Sequence, residues 1–185
     1  MISVRVRDEE KKRCLEFARS IIERGDQFNR FNQSKSVQTT RTYVGKLAEY
    51  VFLHFLHSHG VHYDVGDMFE IFEGQQNADS YDFITADKKT VDIKTASLPF
   101  HKRIMIPISQ FHLKKDFYVG IKLNFSCVKD KEIDPMSIQD CIIHGYVERS
   151  LLESQPTKNF GEGDCKAYEL TQLNSISQLI ERFKL

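Results

Sequence analysis

The chain has 185 residues, of which 41% are hydrophobic and 28% are charged, and its 26 basic residues balance 26 acidic ones. This composition is typical of a globular protein and excludes a chain that is disordered throughout. The length fits a single domain spanning residues 1–185, which can bury a sufficient core without disulfide bonds.

The cysteines and the start of the chain favour a cytoplasmic location. None of the four cysteines belongs to a CxxC pair, which argues against a cysteine-based zinc site and favours free thiols in a reducing compartment. Residues 1–13 lack the apolar segment of a signal peptide. No run of 18 apolar residues predicts a membrane span, so no membrane partner is expected. The four are Cys14, Cys127, Cys141 and Cys165.

The net charge of zero is a mild argument against a nucleic-acid partner, because contacts with phosphates require positive charge. An enzyme that binds metal ions also needs carboxylates, and its basic residues can still gather on one face. The pairs Lys102–Arg103 and Lys114–Lys115 permit that arrangement. Solvated loop charge is the alternative interpretation of each pair.

Two amphipathic helices are predicted in the first third of the chain. Residues 8–24 carry apolar side chains at helical spacing, and Gly25 follows them. Residues 26–40 are polar and indicate a loop or a short helical turn. The second helix is expected from about Arg41 to His59, capped by Thr39 or Thr40 and ended by Gly60. Its apolar stripe consists of Val44, Leu47, Ala48, Val51, Phe52, Phe55 and Leu56.

Extended segments follow Gly60. Residues 61–65 and 68–72 indicate strands or irregular edge structure, and Tyr81–Thr85 and Thr90–Thr95 predict a hairpin. Two further apolar, β-branched segments predict strands, at residues 117–125 and 141–147.

The last third of the chain is less regular. Residues 126–140 and 150–164 are expected to be loop or irregular structure, and Leu173–Phe183 predicts a closing amphipathic helix. This order of helices and strands predicts an α/β fold in which helices flank a mixed β-sheet.

The residues that suggest chemistry lie in the predicted hairpin. Asp92 and Lys94 occur in an apolar strand and point to the same side, because side chains on a strand alternate between faces. Asp82 lies on the preceding strand and can approach Asp92 across the hairpin. The pattern therefore predicts two carboxylates and an amine at one place.

That combination suits phosphodiester hydrolysis. Mg²⁺ prefers carboxylate and water oxygens, and two carboxylates are enough to hold it. The ion neutralises the phosphate and lowers the pKa of a bound water, while a nearby lysine orients that water or stabilises the developing charge. A surface salt bridge on an exposed strand is the alternative interpretation of the Asp-x-Lys string.

The order of these motifs resembles the PD-(D/E)xK, or restriction-endonuclease-like, nuclease superfamily. A helix with Gly45-x-x-x-Glu49 precedes Asp82 and then Asp92-Ile93-Lys94, an order that is also similar to that of archaeal Holliday-junction resolvases. Tyr81 stands where the motif has proline, and the second acid is Asp rather than Glu. The resemblance covers about residues 41–125, with the strand at 141–147 as support, so the core is expected at about 41–147.

The resemblance implies a restriction-endonuclease-like core with a mixed sheet and flanking helices. It implies that Asp82 and Asp92 bind Mg²⁺, for which Mn²⁺ can substitute, and that Lys94 assists the attacking water. Glu49 is implied as an accessory ligand, with a solvated helix acid as the alternative. DNA is the implied substrate. Symmetric cutting of both strands would need two active sites, so a homodimer is expected.

Other interpretations stay open. The function can also be that of a junction resolvase, of a non-catalytic nucleic-acid-binding module, or of a protein-interaction domain in which the three residues form a salt-bridge cluster.

Gln110 is a further candidate for the site, with a buried or capping glutamine as the alternative. Residues 28–41 interleave aromatic and basic side chains that can contact DNA or pack on the core. The helix-end histidines His54, His57, His59 and His62 are a weaker metal-binding candidate.

Overall fold

The computed structural model describes residues 1–24, 34–63, 66–69, 81–125, 133–138, 140–161 and 163–184. These residues form an α/β structure with two sheets. In chain order the elements are β1 (Ile2–Arg5), α1 (Asp8–Arg24), α2 (Lys35–Ser58), β2 (Phe83–Ile84), β3 (Thr90–Ala96), β4 (Arg103–Pro107), α3 (Ile108–Phe111), β5 (Phe117–Leu123), β6 (Asp140–Glu148), α4 (Arg149–Glu153), β7 (Lys158–Asn159), β8 (Asp164–Glu169) and α5 (Ile176–Lys184), with 3₁₀ turns at Gly66–Phe69 and Leu170–Gln172.

The main sheet has five strands in the order β1–β6–β5–β3–β2. β3 and β5 are parallel, whereas the other neighbouring pairs are antiparallel, so the sheet is mixed. Parallel strands need a crossover connection, and here the crossover contains β4 and α3. The second sheet, in the order β4–β8–β7, is antiparallel.

Apolar side chains cover both faces of the main sheet, and this arrangement fixes the direction of each side chain on β3. Val91 and Ile93 join the larger core cluster, which includes residues of α1, α2 and α5. Ala96 belongs instead to the smaller cluster with Ile104 and Ile106 of β4. By strand alternation, Asp92 and Lys94 therefore point to the same side as Ala96, away from α2.

The larger core includes the buried apolar side chains of α2. Phe52, which is fully buried, lies with its ring centroid 5.1 Å from that of Phe83 and 6.0 Å from that of Phe183. The helix thus contacts both β2 and α5 through one aromatic side chain. Aromatic pairs at such separations add about 0.5–1.5 kcal/mol beyond the burial of their surface.

Most of the expected elements are confirmed. The helix at residues 8–24, the hairpin of β2 and β3, the strands β5 and β6 and the closing helix are present, although the closing helix begins at Ile176 rather than Leu173. A mixed sheet flanked by helices is also confirmed. The expected strands at residues 61–65 and 68–72 lie partly outside the described residues, and Gly66–Phe69 is a 3₁₀ turn. Most of the expected loop at 126–140 also lies outside them.

The expected start of the second helix at about Arg41 is wrong. α2 begins at Lys35, and the side chain of Ser34 accepts a hydrogen bond from the Val37 N–H at 3.4 Å. Lys35, Ser36 and Val37 are exposed. An exposed turn needs no apolar stripe, so hydrophobic periodicity did not reveal it.

The expectation that residues 150–164 are irregular is also wrong in part. They contain most of α4 and the whole of β7, and β8 starts at Asp164. β7 has two residues, both exposed, and so carries no alternation of apolar and polar side chains. β1, β4 and β8 were not predicted, because short strands in the second sheet or at an edge give little periodic signal.

Within the described ranges, no helix combines the length and the apolar character needed to cross a membrane. Cys14, Cys141 and Cys165 are free and buried, and Cys127 lies outside the described residues. The cysteines in the described part of the chain therefore form no disulfide.

Gly145 is needed for a close backbone contact between β6 and the segment that leads into α5. Tyr146 and Asn174 exchange two backbone hydrogen bonds of 3.0 and 2.8 Å. A Cβ atom on Gly145, whose φ is +150°, would lie 2.0 Å from the carbonyl oxygen of Asn174. We therefore expect Gly145→Ala to lower the free energy of unfolding by about 2 kcal/mol or more.

Urea unfolding measures this effect, and Gly45→Ala is the matched control. Gly45 lies within α2, and its added Cβ would meet no atom within 4 Å. This control should be neutral or stabilise the protein by up to about 1 kcal/mol, because alanine favours helix. Equal stability of the two variants would contradict the proposed role of Gly145.

Buried thiols predict a loss of stability at alkaline pH. Burial raises the pKa of the Cys14 thiol from 9.0 to about 12. Between these values the unfolded thiol is ionised while the folded one keeps its proton, so stability falls as pH rises, by at most about 1.4 kcal/mol per pH unit for one group. Urea unfolding under reducing conditions from pH 8 to pH 10.5 should show this slope, and Cys14→Ala should flatten it. An unchanged slope in that variant would rule out the thiol as a source.

Candidate active site

Asp82 lies at the point where the edge strand β2 begins. Its backbone N–H donates to the Val91 carbonyl oxygen at 3.1 Å, and its Oδ2 accepts a hydrogen bond of 2.6 Å from the Ile93 N–H. The carboxylate thus takes the position at which a neighbouring strand would offer a carbonyl group. Among the described residues, β2 pairs only with Thr90 and Val91, so β3 beyond Val91 has an open edge that Asp82 borders.

Asp92 and Lys94 lie on this open part of β3 and form an ion pair. The Lys94 Nζ contacts the Asp92 Oδ2, and each side chain is 15% exposed. The same Nζ donates to the Gln110 Oε1 at 3.3 Å. The ammonium group is therefore held between a strand carboxylate and an amide on α3, in a side chain that is mostly buried.

Glu49 projects from α2 towards the same edge. Its Oε2 lies 2.5 Å from the Lys46 Nζ, and the two side chains are 20% and 15% exposed. The Lys46 Nζ also lies 5.0 Å from the centre of the Phe17 ring on α1. Packing between α1 and α2 thus orients Lys46, which in turn orients Glu49.

The electrostatics of Asp82 link these groups into one cluster. Its pKa is raised well above its ordinary range, first by burial and then by the negative charges of Glu49 and Asp92. The hydrogen bond from the Ile93 N–H and the charge of Lys94 act in the opposite direction. Such interactions weaken with distance, so Glu49, Asp92 and Lys94 lie near enough to Asp82 to act on its charge. The four residues come from α2, the start of β2, and β3.

Tyr118 lies next to this cluster on β5. It is the register partner of Asp92 across the parallel β3–β5 pair. Burial, with a further contribution from the charge of Asp92, raises its pKa to about 12. The hydroxyl group therefore keeps its proton at neutral pH and closes the buried side of the cluster without adding charge.

A divalent cation fits this set of donors. No three His, Cys, Asp or Glu side chains in the described ranges are arranged to hold a metal ion. Mg²⁺ needs fewer, since it commonly binds one or two carboxylates together with water and substrate phosphate. In the described part of the chain, the buried Asp92 Oδ2 contacts the Lys94 ammonium but has no hydrogen bond of ordinary geometry. A cation would also relieve the repulsion that raises the pKa of Asp82.

The remaining candidates do not converge on a site. His54 lies 3.4 Å from Glu10, and the rings of His57 and His62 are 6.5 Å apart, so the helix-end histidines form no common metal site among the described residues. Within the aromatic and basic segment 28–41, residues up to 33 lie outside the described ranges. Arg41 is exposed on α2.

Sequence reasoning did not identify Lys46 as part of the cluster. The sequence signal was present, because lysine and glutamate three residues apart on a helix are neighbours. The contribution of Gln110 was noted from its position in the chain alone. Its contact with Lys94 depends on the crossover through β4 and α3, which periodicity does not predict.

Comparisons with protein-family models, with curated proteins and with solved structures identify no match for this chain. The chemistry of the cluster therefore has to be inferred from its own residues.

Divalent cation binding can be measured without catalysis. We expect Ca²⁺ to raise the melting temperature, because a ligand that binds only the folded state stabilises it. Asp92→Asn should abolish the shift, whereas Asp140→Asn, a change at an exposed acid on β6, should retain it. A shift that survives in Asp92→Asn would exclude the cluster as the binding site.

Lys46→Met provides a second readout of the same cluster. Without Lys46, Glu49 has no ammonium neighbour at 2.5 Å, and the negative potential near Asp82 increases. We expect the apparent affinity for Ca²⁺ to rise roughly fivefold, corresponding to an ion pair of about 1 kcal/mol. Unchanged or weaker binding in the Ca²⁺ titration would show that Glu49 lies outside the cation site.

Proposed function

We propose that this protein is a metal-dependent endonuclease that hydrolyses DNA phosphodiester bonds with a restriction-endonuclease-like core. The observation that carries the proposal is that Asp92 and Lys94 form an ion pair at the open edge of β3 and that Glu49, Asp92 and Lys94 all lie within electrostatic reach of Asp82. Glu49 lies 33 residues before Asp82 in the sequence, and the four residues come from α2, the start of β2, and β3. A surface salt bridge between Asp92 and Lys94 would not require the other two carboxylates to approach them.

The open edge explains how a phosphodiester could reach the cluster. β2 ends its pairing at Val91, and Asp92 and Lys94 follow directly. Each of their side chains is 15% exposed, although the Asp92 Oδ2 itself is buried. On the side of β2, no strand in the described part of the chain covers β3 beyond Val91, so a scissile phosphate could approach the exposed part of both side chains from that edge.

Asp82 and Asp92 would hold Mg²⁺ or Mn²⁺, with Glu49 as an accessory ligand. The bound ion would neutralise the phosphate and lower the pKa of a water molecule. Asp82 is positioned for this role by the Ile93 N–H, and Lys46 keeps Glu49 directed towards the cluster. The protein groups thus supply a preformed arrangement of negative charge that favours a cation.

Lys94 would act on the attacking water and on the charge that develops during the reaction. An ammonium group donates hydrogen bonds to a water oxygen or a phosphate oxygen and stabilises negative charge on either. Gln110 accepts a hydrogen bond from its Nζ at 3.3 Å, which limits the rotation of a long side chain. Attack of the water oxygen on phosphorus then breaks one P–O bond, leaving a 5′ or 3′ phosphate and a hydroxyl group.

Within this class a restriction-type endonuclease is the first proposal, and a junction resolvase is the alternative. A cytoplasmic location and a homodimer belong to the same proposal, since cutting both strands symmetrically would need two copies of the site. A non-catalytic binding module would keep its DNA affinity when divalent ions are removed and would cut nothing.

A cleavage assay tests the activity. Supercoiled plasmid, branched DNA and single-stranded circles are incubated with Mg²⁺ or Mn²⁺ and the purified protein. We expect cleavage that Asp92→Asn abolishes and that Lys94→Met lowers by roughly 100-fold or more, the usual size of a lost proton-transfer or charge-stabilising group. Asp140→Asn and Lys158→Met alter exposed residues and serve as matched controls.

The two active-site variants should differ in metal binding. Lys94→Met should retain the Ca²⁺-induced rise in melting temperature, because the carboxylates remain, whereas Asp92→Asn should lose it. Cleavage that survives in both variants would place the activity elsewhere or in a contaminant. If folded protein that binds Ca²⁺ cuts none of these substrates, the endonuclease proposal fails.

A further inference from the structure

A large cleft opens near the start of α2, and none of the four residues of the carboxylate cluster lines it. Its volume is about 980 Å³, at the upper end of the roughly 300–1,000 Å³ of small-molecule pockets. One wall is the start of α2, and another is the segment that connects β3 to β4. Phe160 and Gly163 close the far side. We refer to it as the α2–β4 cleft.

The charged side chains among the described residues that line the α2–β4 cleft are all basic. Among the described residues that line it, Arg41, Lys102 and Arg103 are cationic, His101 can become so, and none is acidic. The whole chain has a net charge of zero, so the fold has separated positive charge from the carboxylate cluster. The exposed first turn of α2 adds the positive end of a helix dipole at the same wall.

Aromatic side chains accompany these charges. Phe100 is 56% exposed and Phe160 is 43% exposed, and both line the cleft. The guanidinium group of Arg103 lies 4.9 Å from the centre of the Phe160 ring and also pairs with Glu169 at 3.1 Å. Phe160 is therefore held in place by a cation at one face, while Phe100 presents its ring to solvent.

A buried lysine fixes the wall that carries Phe100. The Lys122 Nζ donates to the carbonyl oxygens of Leu98, of Pro99 at 3.1 Å and of His101 at 2.7 Å. The segment is thus fastened to β5 on both sides of Phe100. Because the backbone on both sides of Phe100 is already held, little further conformational entropy is lost when a ligand stacks on its ring.

A stripe on α2 connects the cleft with the carboxylate cluster. Arg41, Gly45 and Glu49 are spaced by four residues and share one helix face. A Cβ atom on Gly45 would meet no atom within 4 Å, so no residue in the described part of the chain covers this point of the helix face. Eight residues of helix span about 12 Å, which is a distance that two or three nucleotides of an extended strand can cover.

We infer that the α2–β4 cleft binds a single strand of DNA, which stacks bases on Phe100 and Phe160 and runs past Gly45 to the carboxylate cluster. Positive charge with exposed aromatic rings is the combination that binds single strands, because unpaired bases offer their flat faces for stacking. A duplex hides those faces and is read by elements that protrude into its grooves, whereas this feature is concave. The inference rests on the proposed nuclease function for the identity of the substrate.

Binding can be tested in EDTA, so that no cleavage occurs. Fluorescein-labelled 12-nucleotide single strands, the matching duplex and RNA of the same sequence are titrated with the full chain in anisotropy measurements. We expect the DNA single strand to bind tightest. The logarithm of its affinity should fall with the logarithm of salt concentration with a slope of about −2, as for three phosphate contacts on a single strand.

Substitutions then separate stacking from general apolar contact. Phe100→Leu and Phe160→Leu keep apolar bulk but remove the ring, and each should weaken single-strand binding at least about fivefold. Leu113→Ala, at a residue that is 62% exposed and outside the cleft lining, should change nothing. Equal or tighter binding of the duplex, preference for RNA, or unchanged affinity in both phenylalanine variants would overturn the inference.

Gly45→Leu tests the path to the carboxylate cluster. Leucine favours helix and has open space at this position, so the variant should fold and keep its Ca²⁺ response. We expect it to retain binding in EDTA but to cut single-stranded DNA at least tenfold more slowly than the wild-type protein. If Gly45→Leu cuts single-stranded DNA as fast as the wild-type protein, the strand does not run past Gly45 to the carboxylate cluster.

The outcomes for the two proposals are distinguishable. Single-strand binding that depends on Phe100 and Phe160, without cleavage by the wild-type protein, would overturn the nuclease and support the cleft. Metal-dependent cleavage, together with single-strand binding that is unchanged in both phenylalanine variants, would support the nuclease and overturn the proposed role of the cleft.

Discussion

The short pairing of β2 with β3 is the constraint on which the candidate site depends. Because β2 covers only Thr90 and Val91 among the described residues, the Ile93 N–H would lack a partner on that side. The Asp82 carboxylate accepts its hydrogen bond instead. An unpaired backbone N–H would be costly, so the arrangement anchors an acidic group at the sheet edge, next to Asp92 and within the field of Glu49.

Negative charge concentrated in this way needs compensation. Lys94 contacts Asp92 and Lys46 contacts Glu49, whereas Asp82 has the backbone N–H and the more distant charge of Lys94. Burial is the largest cause of the raised pKa of Asp82, and the negative charges of Glu49 and Asp92 add to it. Two lysines thus lie against two of the three carboxylates, whereas the third remains in the field of its acidic neighbours.

Separation of charge on the folded surface changes how the net charge of zero is interpreted. The sequence balance argued mildly against a nucleic-acid partner, but it cannot show where charges lie. The α2–β4 cleft collects cations and no acids from among the described residues, while carboxylates gather at the sheet edge about 12 Å along α2. In the proposed function, the positive charge of the cleft would bind the nucleic acid and the negative charge at the sheet edge would bind the metal ion.

The sequence by itself determined the elements whose apolar patterns are strong and the direction of their side chains. The stripe of α2 and the alternation of β3 predicted the second helix and a common side for Asp92 and Lys94, and both agree with the structure. The start of α2 and the strands of the second sheet were missed, since exposed turns and short strands carry little periodicity. Only the tertiary structure decided that Lys46 and Gln110 join the cluster and that Arg41, Phe100 and Phe160 share a cleft. Those neighbours come from packing and from the crossover between β3 and β5, which connect residues distant in the chain and leave no local pattern.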